Sequence, residues 1–171
     1  MSDFSAAHHL KTDNKQDVLD LLKRAELTGY LFQPVNGWVT FVTEIDEFSA
    51  DSKITDSNKG ILLFFNRTSD FLGWGFNIFE DATLIGKYSI FEDEDENLKI
   101  TNTTDNQILS KIVETSKIDS LNELLNPPSS EVAYEKGDYE FAKIVGLENI
   151  EWTSFMQIDC NVEDYKVEKV G

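Results

Sequence analysis

The sequence predicts an α+β fold, a mostly antiparallel sheet of about five to seven strands with an N-terminal helix and two or three C-terminal helices packed on it. Three observations carry this expectation. Most of the aromatic residues lie between Tyr30 and Phe91, in short runs rich in β-branched and aromatic side chains and separated by turn signals. Apolar residues recur at helical spacing before that region, at Val18, Leu21, Leu22 and Ala25, and again after it, from Ile108 onward. The helices of the second half therefore follow the strands.

Residues 1–12 read as a flexible N-terminal tail. A helix follows from about Lys15 to Leu27, with Asn14 or Asp13 as its cap, Asp17 in its first turn, and Gly29 placed to end it in a left-handed turn. Tyr30–Phe32 and Trp38–Thr43 read as the strands of a hairpin across the turn signal Pro34-Val35-Asn36-Gly37. The polar segment from Ser49 to Lys59 has no assignable order. Gly60–Asn66 is a continuous apolar run, the mark of a central strand. Trp74–Phe79 and Leu84–Phe91 read as the next two strands, joined through Glu80-Asp81-Ala82-Thr83. Trp74, Phe76 and Ile78 share one face, as do Leu84, Tyr88 and Ile90 across Gly86. Phe79, Ile85 and Phe91 take the opposite side, so the sheet is either covered on both faces or partly exposed for binding.

Asn97–Thr104 holds one more short strand. Thr104 or Asp105 caps a helix carrying Ile108, Leu109, Ile112 and Val113, and a shorter helix from near Asp119 to Leu125 ends before Pro127-Pro128. A third helix runs from about Asp138 to Val145 and stops at Gly146. Trp152–Ile158 alternates like a strand returning to the sheet. The polar stretch 159–171, with Val162, Val167 and Val170, reads either as an edge strand or as a frayed end. With no repeat and no long linker, 1–171 reads as one domain.

The chain carries 32 acidic against 15 basic residues, a net charge of -17, with 40% hydrophobic residues. That hydrophobic content is too high for a disordered chain. The negative field argues against nucleic acid and anionic membranes, since Arg24 and Arg67 are the only arginines and the lysines are scattered singly. A basic protein would be steered in. Met1–Leu10 lacks a basic segment followed by an apolar run, no stretch is long enough to span a membrane, and Cys160 is the only cysteine. These features predict a cytoplasmic protein without disulfides. In that compartment the triplets Asn66-Arg67-Thr68 and Asn102-Thr103-Thr104 are chance matches to a glycosylation site.

Elimination gives no catalytic residue, no metal site and no cofactor site. His8 and His9 are adjacent on a predicted tail, point opposite ways if extended, and read as a solvent-exposed pair. Cys160 lies between Asp159 and Asn161, a poor setting for a nucleophilic thiolate, and no Gly-x-Ser-x-Gly elbow is present. Asp93-Glu94-Asp95-Glu96-Asn97 opens like a calcium loop, but Leu98 stands where glycine is required and Thr104 where the bidentate glutamate belongs. Gly73-Trp74-Gly75 lacks the third glycine and following helix of a dinucleotide fingerprint. Glu80 with Asp81, and Glu148 with Glu151, read as turn residues rather than acid and base.

Two groups are candidates for partner binding. Phe71 and Trp74 lie in an aromatic connection, Asp70 to Trp74, where a polar one is expected. Glu92, Asp93, Glu94, Asp95 and Glu96 form a run of five acids suited to a basic surface.

The segments Asn36–Val42, Gly73–Phe76, Phe141–Leu147 and Glu151–Phe155 resemble those of small uncharacterised bacterial proteins. In size and acidity the chain is also similar to bacterial immunity proteins that neutralise toxin domains, although the Leu-Pro and Gly-Gly features common among them are absent. The resemblance implies a bacterial cytoplasmic origin more than a mechanism. The leading expectation is therefore a non-enzymatic acidic binding protein of immunity or inhibitor type that docks a basic protein. An enzyme or small-ligand protein with a carboxylate and aromatic pocket, and an oligomeric structural subunit, are the alternatives. The sequence leaves the oligomeric state open.

Overall fold

The computed structural model describes residues 3–44, 49–68, 73–95, 97–127 and 130–171, without the side chains of 130–133. Among these residues the strands are β1 (Phe4–Lys11), β2 (Gly29–Phe32), β3 (Trp38–Thr43), β4 (Ile61–Thr68), β5 (Gly73–Glu80), β6 (Thr83–Glu92), β7 (Leu98–Asn102) and β8 (Val167–Val170). The helices are α1 (Lys15–Ala25), α2 (Ser52–Ser57), α3 (Asn106–Leu109), α4 (Ile118–Leu125), α5 (Ser130–Val145) and α6 (Phe155–Cys160). All eight strands join one antiparallel sheet in the order β7-β6-β5-β4-β1-β3-β2-β8. The α+β class and the antiparallel sheet agree with the sequence, with more strands and helices than it predicts.

The largest departure lies at the N-terminus. Residues read as a flexible tail form β1, an inner strand between β3 and β4. Both its faces are covered, so Ala6, Ala7, His8, His9 and Leu10 are all buried, and the alternation that betrays a half-exposed strand is absent. β3 reaches only the second half of β1, from His8 to Lys11. Beside the first half, the segment before α6 takes over, with the Ala6 amide donating to the Thr153 carbonyl at 2.9 Å and the Thr153 amide donating to Ser5 Oγ at 3.0 Å.

That arrangement replaces the returning strand expected at Trp152–Ile158. Ser154 caps α6 by accepting from the Gln157 amide at 3.3 Å, which turns the chain helical. Met156 is 62% exposed while Ile158 packs on the sheet beside Ala7, Tyr30, Phe32 and Val42. The last strand, β8, pairs with β2 as an edge strand.

Local signals explain most other elements. Asn14 caps α1 through the Gln16 amide at 3.0 Å. Its C-terminus turns left-handed at Glu26, φ 56°, and not at Gly29. Gly29 instead lies in β2, where a Cβ would sit 2.1 Å from the Val42 carbonyl oxygen. Asn36 and Gly37, with φ 53° and 80°, form the tight turn of the β2–β3 hairpin. The unassigned polar segment contains α2, capped by Asp51 through the Lys53 amide at 2.7 Å. The helix expected to carry Ile108 through Val113 is a single turn, α3, capped by Asp105. α5 begins at Ser130, well before the expected Asp138, and ends at Gly146, φ 89°.

The sheet divides two cores. On one face α1 and α2 bring Val18, Leu21, Leu22 and Ile54 against Leu10, Val39, Phe41, Leu62 and Phe64. On the other, α4 and α5 bring Leu121, Leu125, Phe141 and Val145 against Leu63, Phe65, Trp74, Phe76, Tyr88 and Ile90. Burial of each such side chain contributes roughly 1.5–3 kcal/mol, so both helical layers fix the sheet.

Candidate functional site

The two faces are covered unequally. On the α1 face the helix-packed core takes in Leu62 and Phe64 of β4 but, among the described residues of β5, β6 and β7, only Phe79 at the end of β5. Antiparallel register sets Asn66 opposite Gly75 and Gly75 opposite Ser89, with Asn77 opposite Lys87 and Gly73 opposite Phe91. These positions share the open face, opposite the buried Trp74, Phe76, Tyr88 and Ile90. The result is a groove of about 380 Å³ floored by Gly75, lined by Asn66, Asn77, Lys87 and Ser89, and flanked by Phe64, Phe91 and Ser49.

Glycine keeps the floor low. A Cβ on Gly75 would sit 2.7 Å from the Tyr88 carbonyl oxygen and 3.2 Å from Ser89, so any side chain there would displace β6. The amides of Asn66 and Asn77 each offer donors and an acceptor, and Ser89 adds a hydroxyl. All three side chains are half-buried, and the Lys87 ammonium is exposed beside them. Such a surface, aromatic at its margins and neutral-polar at its centre, can recognise a backbone or another uncharged polar group.

The acidic hairpin adjoins this groove, since Glu92 follows Phe91 at the end of β6. Asp93 organises the β6–β7 turn: its Oδ1 accepts from the amides of Asn97 at 2.9 Å and Asp95 at 3.0 Å, and Lys99 lies 3.0 Å from its Oδ2. The Asn97 amide foremost, with help from Lys99, holds the Asp93 carboxyl down at about 2. Asp93 is thereby engaged within its own turn, whereas Glu94 and Asp95 are exposed and Glu92 half-buried. Glu96 and Phe71 lie outside the described residues.

Trp74 is not the exposed aromatic expected from its loop-like neighbourhood. It is 1% exposed on the α5 face, with ring centroids 4.9 Å from Tyr88 and 5.6 Å from Phe141. Gly137 of α5 permits that depth, because a Cβ there would meet the indole at 2.7 Å. Strand alternation gave Trp74 to the core and its glycine neighbours to the open face.

The histidines are likewise inside the protein and not in solvent. They do point opposite ways. His8 stacks on Phe41 at 5.4 Å and lies 5.0 Å from Phe64, and its Nε2 accepts from the Asp51 amide at 3.4 Å. His9 Nδ1 pairs with Thr40 Oγ1 at 2.8 Å, while its Nε2 has no partner among the described residues. Burial lowers both pKa values to about 3. Both rings are buried and neutral near pH 7.

Three of the other carboxylates weighed for chemistry make contacts within the protein. Glu80 takes the Lys111 ammonium at 2.7 Å, Asp81 Oδ1 accepts from the Gly60 amide at 2.8 Å, and Glu151 accepts from the Tyr139 hydroxyl at 2.6 Å. Arg67 is gripped by Asp3 and by Asp138, the latter at 2.6 Å, and its guanidinium lies 4.8 Å over the Tyr139 ring. Among the described residues, no three His, Cys, Asp or Glu side chains gather to hold a metal ion, and no helix is long and apolar enough to cross a membrane.

Sequence reasoning missed Asn66, Asn77 and Ser89. Their signal was present in the polar positions alternating with Trp74, Phe76, Tyr88 and Ile90, which mark a sheet face without a cover. No protein-family model, curated protein or solved structure matches the chain.

Proposed function

We propose that the chain is a binding domain whose open sheet face, together with the adjoining acidic hairpin, docks a basic protein partner. The observation that carries this reading is the unequal covering of the sheet: helices bury one face across β4, β5 and β6, while on the other the helix-packed core takes in β4 and, among the described residues of β5 and β6, only Phe79, leaving a polar, aromatic-edged groove around Gly75. Glu94 and Asp95 stand exposed at the groove's end, and the net charge of -17 steers a cationic partner toward the molecule. Polar residues at the centre and charge at the margin suit a partner that docks and leaves, as in non-obligate interfaces.

The test is partner capture with two sets of variants. Asn77→Arg combined with Ser89→Arg fills the groove with positive charge, and Asp13→Asn combined with Asp20→Asn removes two exposed acids near α1. The groove pair is expected to abolish salt-sensitive capture of a basic protein, and the α1 pair to preserve it. Equal capture by both would remove the open face from the interface.

A second reading follows from the groove's volume of about 380 Å³, which suits a small neutral polar ligand held between Phe64 and Phe91. In that case the groove pair would lose ligand-induced thermal stabilisation measured with a panel of uncharged sugars and amides, without any change in protein capture.

A further inference from the structure

A second cavity, of about 520 Å³, lies at the other end of the sheet on the α5 face. It is built where the end of β1, the β2–β3 turn, the α3–α4 connection and the last turn of α5 meet. Its lining divides by chemistry. Trp38, Ile112, Val113 and Ile144 supply an apolar wall, and Lys11, Lys117 and Lys143 bring three cationic side chains to the lining.

That grouping runs against the composition, because acids outnumber bases by 32 to 15, and Glu114 is the one carboxylate among the described residues of the lining. Among the described residues none of the three lysines forms an ion pair. Lys11 is braced in place, with its ammonium donating to the Lys111 carbonyl at 2.6 Å and lying 5.9 Å from the centre of the Trp38 ring. Trp38 is fixed in turn by its indole N–H, which donates to the Val145 carbonyl at 3.1 Å, and Asn36 by its amide on the Gly146 carbonyl at 3.1 Å. Trp38 and Asn36 are therefore held in place in the wall of the cavity, and the exposed residues Lys117 and Lys143 complete its lining.

We propose that this cavity binds a small organic phosphate. Three lysines act as point charges that complement a phosphate, which they recognise without the fixed fork that arginine would impose. The apolar wall accommodates the organic part, and the volume exceeds what an isolated phosphate fills. Glu114 accepts hydrogen bonds from hydroxyl groups on that part. Because the whole molecule repels anions at long range, diffuse electrostatic attraction does not bring a phosphate to it, and association has to arise locally from these residues.

Calorimetric titration of the full chain with inorganic pyrophosphate, a hexose phosphate and a nucleoside diphosphate tests the assignment. The organic phosphates are expected to bind more tightly than pyrophosphate, and Lys117→Gln combined with Lys143→Gln to weaken them by roughly tenfold or more. Both lysines are exposed, so the pair leaves the fold intact, and the Trp38 indole N–H resonance reports occupancy independently of heat. The proposal is overturned if no probe binds up to about 10 mM, or if the lysine pair binds as the parent does. The cavity and the open groove lie on opposite faces, so either can fail alone.

Discussion

Burial holds the imidazoles of His8 and His9 neutral, and this couples the stability of the sheet to acidity. An unfolded histidine takes up a proton near its ordinary value of 6.5, while the folded ones do so only near 3. Between those values the unfolded chain binds more protons, so stability falls as the pH falls through that window, by roughly 1.4 kcal/mol per pH unit for each ring. Asp93 acts lower down: its stabilisation is lost only between its ordinary 3.8 and about 2. Urea unfolding followed from about pH 7 to about pH 4 is expected to show the steep loss, and the double variant His8→Gln, His9→Gln to flatten it. An unchanged slope in the variant would mean that other groups control the acid response. At this scale much of the sequence was readable, including the Asn14 cap and the Asn36-Gly37 turn, because each is a local hydrogen-bond or backbone preference. The histidines were not, since their neutrality depends on Phe41, Phe64 and Thr40, which no spacing along the chain connects to them.

Strands with one polar side, or with a purely apolar run, were legible, as β3, β4, β5 and β6 show. β1 was not, because small and amphiphilic residues such as Ser5, Ala6, Ala7 and His8 carry weak strand signals while fitting an inner strand pressed from both sides. The alternation of Trp152–Ile158 misled for the opposite reason: a period of two appears in short helical segments by chance, and the Ser154 cap decides the outcome. How the elements join depends on Arg67, which reaches from β4 to Asp3 before β1 and Asp138 in α5. Replacing it by methionine removes the guanidinium from two carboxylates with little access to water, and is expected to cost about 3–5 kcal/mol in urea unfolding. A loss under about 1 kcal/mol would mean that the two acids find water or protons instead.

The charge of the whole molecule sets its response to salt. An excess of 17 negative charges on a folded chain repels itself more strongly than on an expanded one, so screening favours the native state. The urea midpoint is expected to rise between about 10 mM and about 300 mM sodium chloride, and a midpoint that falls would assign more weight to attractive pairs such as Lys15 with Glu168. Composition alone forecast this behaviour, whereas the division into a covered and an open face emerged only from strand order and register. The pairing of β8 with β2 bears on synthesis as well. Residues 167–170 complete the hydrogen bonding of residues 29–32, so a nascent polypeptide leaves the ribosome with that flank of β2 unpaired until translation has passed every other strand. A stalled product lacking β8 would offer the bare flank of β2 to its neighbours and be a target for chaperones.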